Sequence, residues 1–594
     1  MSIKRFLSTA LIGSLLALSP QAKSKERFFL PEPGFVRAKD LPDDFQARVD
    51  SIIFERKDAF EGATAYSKVD RWVFGLGNKI HVESRPSTIA RRLQFEKGGA
   101  INKGILTETE RVLRSEDFLS DAILEVGPDR GGLRNIKITT YDQWTTMAGG
   151  SLANTDLKLG DLFLGRWDKL KGGEWTWWTG AWESNLFGTG TKFGGSYRHE
   201  LQRNVTELRL SNNSITPYNL QTGLYGAWLS DGHSLQLKVG KPILSRSDRY
   251  AFSTAFSSLQ LSELLYFDAN RLDDLPEKLA DSLAGESHIL MEYERVTMDS
   301  VYLTATRSFG SRLKFNVGPT FLFQDRYQDG GASIPDSALA AALPVPASAL
   351  SPEVRTEALV GAAVSLYEYD YKTARNFRNL KWNETVETGW RLTAKAAHNQ
   401  EWLGASNSDF WLAQEAVFGQ AWRDTWFASC SLSTQYFLTS SGNVEDGRMD
   451  ASMESQWKEL PITSTYLAAS WSHYFASPQS RQLVLGASEG LSGYPSFYFS
   501  GQARFLALAE QRLFPEFELA TGVFAFSAYV AAGNTFPSYR DFDPSSLHYT
   551  TGLGIRVGKS KSTTKGVQHF NLSFPLGEKH LSGFAFSALA KKSL

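Results

Sequence analysis

The chain has 594 residues, more than one average globular domain holds, and its 63 Lys and Arg nearly cancel 64 Asp and Glu, so no basic field points to nucleic acid. Aromatics at 13%, 16 Trp and 49 Gly suit a barrel with aromatic girdles and Gly-rich turns, and equally a large soluble β-sandwich or propeller. Cys430 is the single cysteine, which excludes an intrachain disulfide framework and a cysteine zinc site.

The first residues are Lys4 and Arg5, then an apolar run from Phe6 to Leu18, then the small residues Ala22 and Ser24. This is the pattern of a secretory signal peptide over 1–24, cleaved after Ala22 or after Ser24. The run is too short to cross a bilayer as a helix, and no later segment reaches the roughly 18 apolar residues that would. No cysteine follows it to carry a lipoprotein anchor. A mature chain resident in a membrane must then cross it as a closed barrel, because only helices and closed barrels satisfy their backbones in lipid. Residues 25–75 read as an irregular lead-in, charged and Pro-containing at first, with strand-like pieces but no clean period afterwards.

Between 76 and 143 a period emerges. Pro86 opens a short helix with Ile89 and Leu93 on one face, stopped by Lys97-Gly98-Gly99. KGILTETERVLRSEDFL then spaces Ile105, Leu106, Thr109, Val112 and Leu113 by threes and fours, a second amphipathic helix. AILEV and NIKITTYD follow as strands around the turn PDRGG. The order β-α-α-β-β describes a small α+β domain.

From 144 to 594 almost every segment alternates. HSLQLKVG sets Leu235, Leu237 and Val239 against Gln236 and Lys238, and TGLGIRVG sets Leu553, Ile555 and Val557 against Gly554 and Arg556. Strands polar on one face and lipid-compatible on the other are what a transmembrane barrel wall needs. At about 10 residues per strand, with one short and one longer connection each, the length predicts about 16 antiparallel strands. LDDLPEKLADSLAGES (272–287) has helical spacing and is expected as a short helix in an extracellular loop. The Ala/Pro-rich stretch 330–352 is expected as a surface loop on the same side. Cys430, inside an alternating run, reads as a small wall residue. The stretch from Gly486 to Arg512 combines a Gly/Ser-rich loop with a strand whose Gln502, Arg504, Glu510 and Arg512 face the lumen, opposite Ala503, Phe505, Ala507, Ala509 and Leu513.

Several of these stretches resemble the BamA/TamA/TpsB superfamily of outer-membrane assembly and secretion barrels, the bacterial surface antigen family. LQFEKGGAINKGILTETERVLRSEDFLSDAILEV resembles its POTRA domain in a Gly-containing loop, an E-R-x-L-R helix and an F/Y-L-x-D-A turn. GAWESNLFGTGTKFGGSY resembles its early hairpin through Glu183, Asn185, Leu186, Phe187, Gly188 and Gly190, and VGKPILSRSDRYAF resembles one of its strand ends. Leu491, Ser492, Gly493 and Tyr494 stand where the family carries a lumenal hydrophobic–Arg–Gly–Tyr/Phe motif. Tyr529, Ala531 and Gly533 stand where it carries the aromatic–x–Asp–x–Gly pattern whose Asp holds that Arg. Here Ser492 and Ala531 replace both charges. Removing one member of a buried ion pair costs roughly 3–5 kcal/mol, whereas removing both can be nearly neutral, so the double loss is coherent. The expectation is that Gly493 and Tyr494 still tuck inward near Tyr529, held by packing and ordinary hydrogen bonds.

The resemblance implies a periplasmic POTRA-like domain followed by an outer-membrane β-barrel that assembles or translocates proteins. The implied partners are outer-membrane lipids, unfolded barrel or secreted clients, and periplasmic chaperones or accessory lipoproteins, with no nucleic acid. A weak seam between residues 157–164 and 584–590 would let the barrel template an incoming strand by edge pairing. The alternatives are a passive channel or structural barrel whose lumenal lock has decayed, and a dedicated exporter for one secreted partner. No enzyme activity, cofactor or metal is expected. The G-x-S-x-G at 486–490 is followed by a loop and a strand where a nucleophile elbow needs a helix. H-E-x-x-H, phosphate-cradling and calcium-loop spacings do not occur.

Overall fold

The computed structural model describes residues 33–58, 81–157 and 175–591, apart from short stretches within several turns, the longest being 340–353. The signal-peptide segment, most of 330–352 and residues 158–164 of the expected seam lie outside the described residues.

The N-terminal unit is a five-stranded mixed sheet covered by two helices. Lys103–Arg114 is helical because its apolar residues recur on one face, burying Leu106, Val112 and Leu113. Its start is fixed by Asn102, whose side chain accepts from the Ile105 amide at 2.9 Å. Pro86 stands at the first turn of the short helix Pro86–Ala90. Leu119–Val126 pairs antiparallel with Leu133–Asp142, and the latter pairs in parallel with Gln46–Lys57. That last strand comes from the stretch read as a lead-in. Ile89, Leu106, Leu113, Leu124, Ile136 and Ile138 form a core between helices and sheet.

Among the described residues twenty antiparallel strands then follow one another around a closed barrel, from Thr146–Leu157 to Phe584–Lys591, which pairs back onto the first. The expectation of about 16 strands is corrected to twenty. The early strands are short, nine residues in Thr191–His199 and Asn204–Asn212, and some connections are minimal, Gln221–Leu229 passing to Gly232–Lys241 through Ser230 and Asp231 alone. Less chain is spent on connections than the average assumed, so the same length makes more wall.

Alternation decides which side chains meet lipid. Leu303, Phe315, Leu392, Leu432, Leu467, Val530 and Leu553 point outward and are exposed, while Arg448, Asp450, Glu454 and Gln456 point into the bore. Exposed Tyr250, Trp422, Trp426 and Trp457 stand near one end of the wall, and Trp177, Trp228, Phe410 and Tyr549 near the other. An apolar band between two aromatic girdles is a surface made for a bilayer. The molecule is a large outer-membrane-type β-barrel.

The N-terminal unit sits against the turns at one rim. Asn185, 1% exposed, joins the two parts: its Nδ2 donates to Ser84 Oγ at 2.9 Å and its Oδ1 accepts from the Gly190 amide at 2.7 Å. Ser84 in turn donates through its amide and hydroxyl to the buried Asp142 carboxylate, at 2.7 and 3.0 Å. Arg92 and Glu116 form a buried ion pair beside the barrel turn that contains Asn219, and the Arg111 guanidinium lies 4.9 Å from the centre of the Tyr371 ring. Asn185→Ala strips a partner from the buried Gly190 amide, so it is expected to cost about 1–3 kcal/mol. The expected readout is earlier proteolysis between the N-terminal unit and an intact barrel.

Candidate functional site

The candidate site is the bore, closed near one mouth by a loop that turns inward. The chain leaves the wall after Thr463–Phe475 and returns as Ala503–Leu513. Between them, Leu483–Leu485 pairs with Phe499–Gly501 to make a small two-stranded stalk that carries the tip, residues 486–498.

Each of the four tip residues contacts the inside of the wall or a neighbour packed against it. Leu491 is fully buried, and its amide donates to the Gly486 carbonyl at 2.8 Å. The Ser492 carbonyl accepts from Thr550 Oγ1. Gly493 has φ +112°, and a Cβ there would stand 2.8 Å from Thr550 Oγ1 and 3.1 Å from the Pro575 nitrogen. Only glycine combines that conformation with that approach. Tyr494 is 0% exposed, and its hydroxyl donates to the Tyr549 carbonyl at 3.1 Å. Around its ring lie Phe499 at 5.3 Å, His548 at 5.8 Å and Tyr498 at 6.4 Å.

The wall strand Gly522–Phe536 presents Tyr529, Ala531 and Gly533 on its bore side. Tyr529 shares a hydrogen bond with Ser573 Oγ, and Ala531 packs in the apolar cluster with Leu491 and Tyr494. Position 531 is therefore a hydrocarbon contact, with no cation opposite it. On the strand Ala503–Leu513, Arg504, Glu510 and Arg512 face inward, with Leu506 and Leu508 between them packed under the loop. Arg504 donates to the Val484 carbonyl at 3.1 Å, which ties the stalk to the wall. Gln502 precedes the strand and donates to the Pro478 carbonyl at 3.0 Å.

Glu510 is the electrostatic centre of this wall. Its carboxylate accepts from Arg512 Nε at 3.0 Å and from Arg556 Nη2. All three side chains are nearly inaccessible, at 4%, 3% and 6% exposure. The Arg512 guanidinium also lies 4.1 Å from the centre of the Tyr466 ring. Ser488, the serine of the G-x-S-x-G stretch, stands in the loop with no helix after it.

A second segment covers the loop from above. After Tyr250–Tyr266 the chain makes a 3₁₀ turn, Ala269–Asp274, and a helix, Glu277–Leu283. Phe267, Leu272, Ala280 and Leu283 from this segment join Leu485, Leu491, Tyr494, Tyr498 and Phe499 in one buried cluster. The Ala269 amide donates to the Tyr498 carbonyl at 3.1 Å, and the Tyr266 ring stacks on Phe497 at 4.7 Å. Asp268 accepts from the Asn270 and Ser500 amides, each at 3.2 Å. Burial pushes its carboxyl up to about 6, against the pull of those amides. A carboxyl raised in the folded state favours that state when protonated. The seating of this segment is therefore firmest below about pH 4 and weakens as pH rises through about 6. Hydrogen exchange across 268–283 is expected to quicken between pH 4 and 6.5, after correction for intrinsic rates, and Asp268→Asn is expected to remove that dependence.

At the opposite end, Asn376 and Leu380 lie between the strands Arg355–Arg375 and Asn383–Asn399. Leu380, 4% exposed, packs with Phe514, just past the end of Ala503–Leu513, and with Val523, Ala525 and Val567 on strands well around the wall. Gln456 Nε2 donates to the Asn376 carbonyl at 3.0 Å. Sequence reasoning singled out neither Leu380, nor Asp268, nor the pairing of Arg556 with Glu510. Arg556 carried the only usable signal, a lone charge in an otherwise apolar alternating strand.

No family description matches this sequence, and no curated protein matches it. Among solved structures, it is similar to BamA from Haemophilus ducreyi lacking POTRA domains 1–3, with 10% identity, a TM-score of 0.34, and 91% of this chain and 84% of that one covered. It is similar also to CdiB from Acinetobacter baumannii (9% identity, TM-score 0.41, 91% and 74% covered) and to the FrpB iron transporter from Neisseria meningitidis (8% identity, TM-score 0.35, 80% and 85% covered). Likeness at this level singles out no activity.

Proposed function

We propose that this barrel inserts or translocates other proteins at the outer membrane, using the junction between its first and last strands to engage an extended client segment. The observation that carries this reading is the seam. Among the described residues, Phe584–Lys591 meets Thr146–Leu157 at four paired positions, with a register irregularity between Phe584 and Phe586. The neighbouring hairpin, Thr146–Leu157 with Trp175–Leu186, pairs at nine positions without one. A short and irregular junction is the least costly place to part a closed wall and expose an edge for pairing. The N-terminal unit serves on this reading as a periplasmic POTRA-like domain, held beside the rim through which clients arrive. The loop disfavours an open passive channel, since it places packed side chains in the bore.

Cross-linking the seam tests the reading. In a Cys430→Ser background, cysteines at the registered pair Ala153 and Ser587 are expected to abolish the ability of the protein to restore normal levels of other outer-membrane barrels in depleted cells, and a reductant is expected to return it. Full activity with the seam oxidised would reject the proposal. Unchanged levels of other barrels on depletion would favour an exporter or channel.

A further inference from the structure

On the outer face, close to where the N-terminal unit meets the wall, two arginines stand without a carboxylate. The turn joining Gly232–Lys241 to Tyr250–Tyr266 touches the N-terminal unit through Leu244, whose carbonyl accepts from Arg111 Nη2. Arg249 ends that turn, and Arg307 pairs with Tyr250 from the next strand, Ile289–Phe309. Period-two alternation sets Arg307 on the outer face with exposed Leu303 and Phe309. Its guanidinium lies 4.1 Å from the centre of the Tyr250 ring and 5.5 Å from that of Phe309. Stacking occupies the faces of a guanidinium and leaves its in-plane N–H donors unspent. Among the described residues, those of Arg307 make no hydrogen bond or ion pair. Arg249 gives one donor to the Gly310 carbonyl, at 2.7 Å. The neighbouring carboxylates are committed elsewhere. Asp248 lies 3.5 Å from Lys241 and accepts from the Leu244 and Ser245 amides at 2.8 Å each, and Glu368 pairs with Arg312. Two uncompensated cations thus stand at the aromatic girdle, where the hydrocarbon of a bilayer gives way to headgroups.

We propose that this patch binds the headgroup of an anionic phospholipid in the leaflet nearer the N-terminal unit, its phosphate held by Arg249 and Arg307. Guanidinium donors match phosphate oxygens in pairs. The surplus of positive charge selects an anionic headgroup over a zwitterionic one. Toward mid-wall the same outer face is apolar, with Phe252 and Leu303 exposed, so the acyl chains have a surface to lie on. That continuity favours a lipid over a soluble phosphate or an acidic peptide, neither of which has hydrocarbon to place there.

The test is native mass spectrometry of the full chain released from nanodiscs that contain equal amounts of phosphatidylglycerol and phosphatidylcholine with the same acyl chains. The wild type is expected to retain phosphatidylglycerol about thirtyfold over phosphatidylcholine, at roughly a factor of five for each arginine near an anionic headgroup. Arg249→Gln or Arg307→Gln is expected to cut that preference about fivefold, and the double variant to abolish it. Arg423→Gln, at a rim arginine that lies over Trp422, is expected to leave it unchanged. Arg249 is exposed in a turn, so Arg249→Gln decides the matter should Arg307→Gln fail to fold. No preference in the wild type, an equal loss in Arg423→Gln, or displacement of the lipid by glycerol phosphate or by polyglutamate would overturn the site.

Discussion

Glu510→Gln is expected to lower the unfolding free energy of the barrel in lipid vesicles by about 3–5 kcal/mol, measured by urea titration. The substitution keeps the shape of the side chain and removes only its charge. Arg512 and Arg556 then remain buried, at 3% and 6% exposure, without the carboxylate that now receives both. Removing a cation as well should be milder than the sum of the single changes, because the pair is lost together: Glu510→Gln with Arg556→Met is expected to recover part of the loss. A cost below about 0.5 kcal/mol for the single change would mean that the cluster is solvated by the bore and organises nothing.

Tyr494→Ala is expected to cost a further kind of stability, about 3–5 kcal/mol, by emptying the space of a fully buried aromatic ring. Its consequence for function is larger than its consequence for folding. The wall itself is held by strand ladders that Tyr494 does not join, so the barrel should survive while the loop loses its seat. Planar-bilayer recordings are expected to show a closed wild type and frequent openings in Tyr494→Ala. Tyr494→Phe keeps the ring and removes the hydroxyl, with its 3.1 Å bond to the Tyr549 carbonyl, so it should cost about 0.5–1.5 kcal/mol and stay mostly closed. Equal conductance in the two variants would show that packing of the ring is not what seats the loop.

These expectations depend on features of unequal visibility in the amino-acid order. Period-two alternation is local, so the two faces of Ala503–Leu513 can be told apart from the residues alone, as can the apolar skin around Leu235, Leu237 and Val239. The helix Lys103–Arg114 is equally legible, since its spacing and its capping Asn102 lie within a dozen positions. The strand count was harder, because it depends on how little chain each turn consumes, and a two-residue turn such as Ser230–Asp231 leaves only a faint mark. What joins distant parts was not legible. Glu510 meets Arg556 only after the wall has curved, Leu380 finds Val523 and Val567 from strands well around the barrel, and Gln46–Lys57 pairs in parallel with a strand some 85 positions later. Asp268 reads as an ordinary loop carboxylate until the Ser500 amide is brought against it.

The central claim is that the wall stands in lipid with a wet bore inside it, and the single native cysteine offers a direct measurement. Cys430 is exposed on the outer face, registered between Phe418 and Met453 in mid-wall, whereas the next residue, Ser431, points into the bore and bonds Ser452 at 2.8 Å. A nitroxide on Cys430, attached before refolding into liposomes, is expected to collide with dissolved oxygen and to be shielded from an aqueous nickel chelate. A nitroxide on Ser431→Cys in a Cys430→Ser background is expected to show the reverse. Free access of the nickel chelate to Cys430, or shielding of both positions from it, would contradict the account.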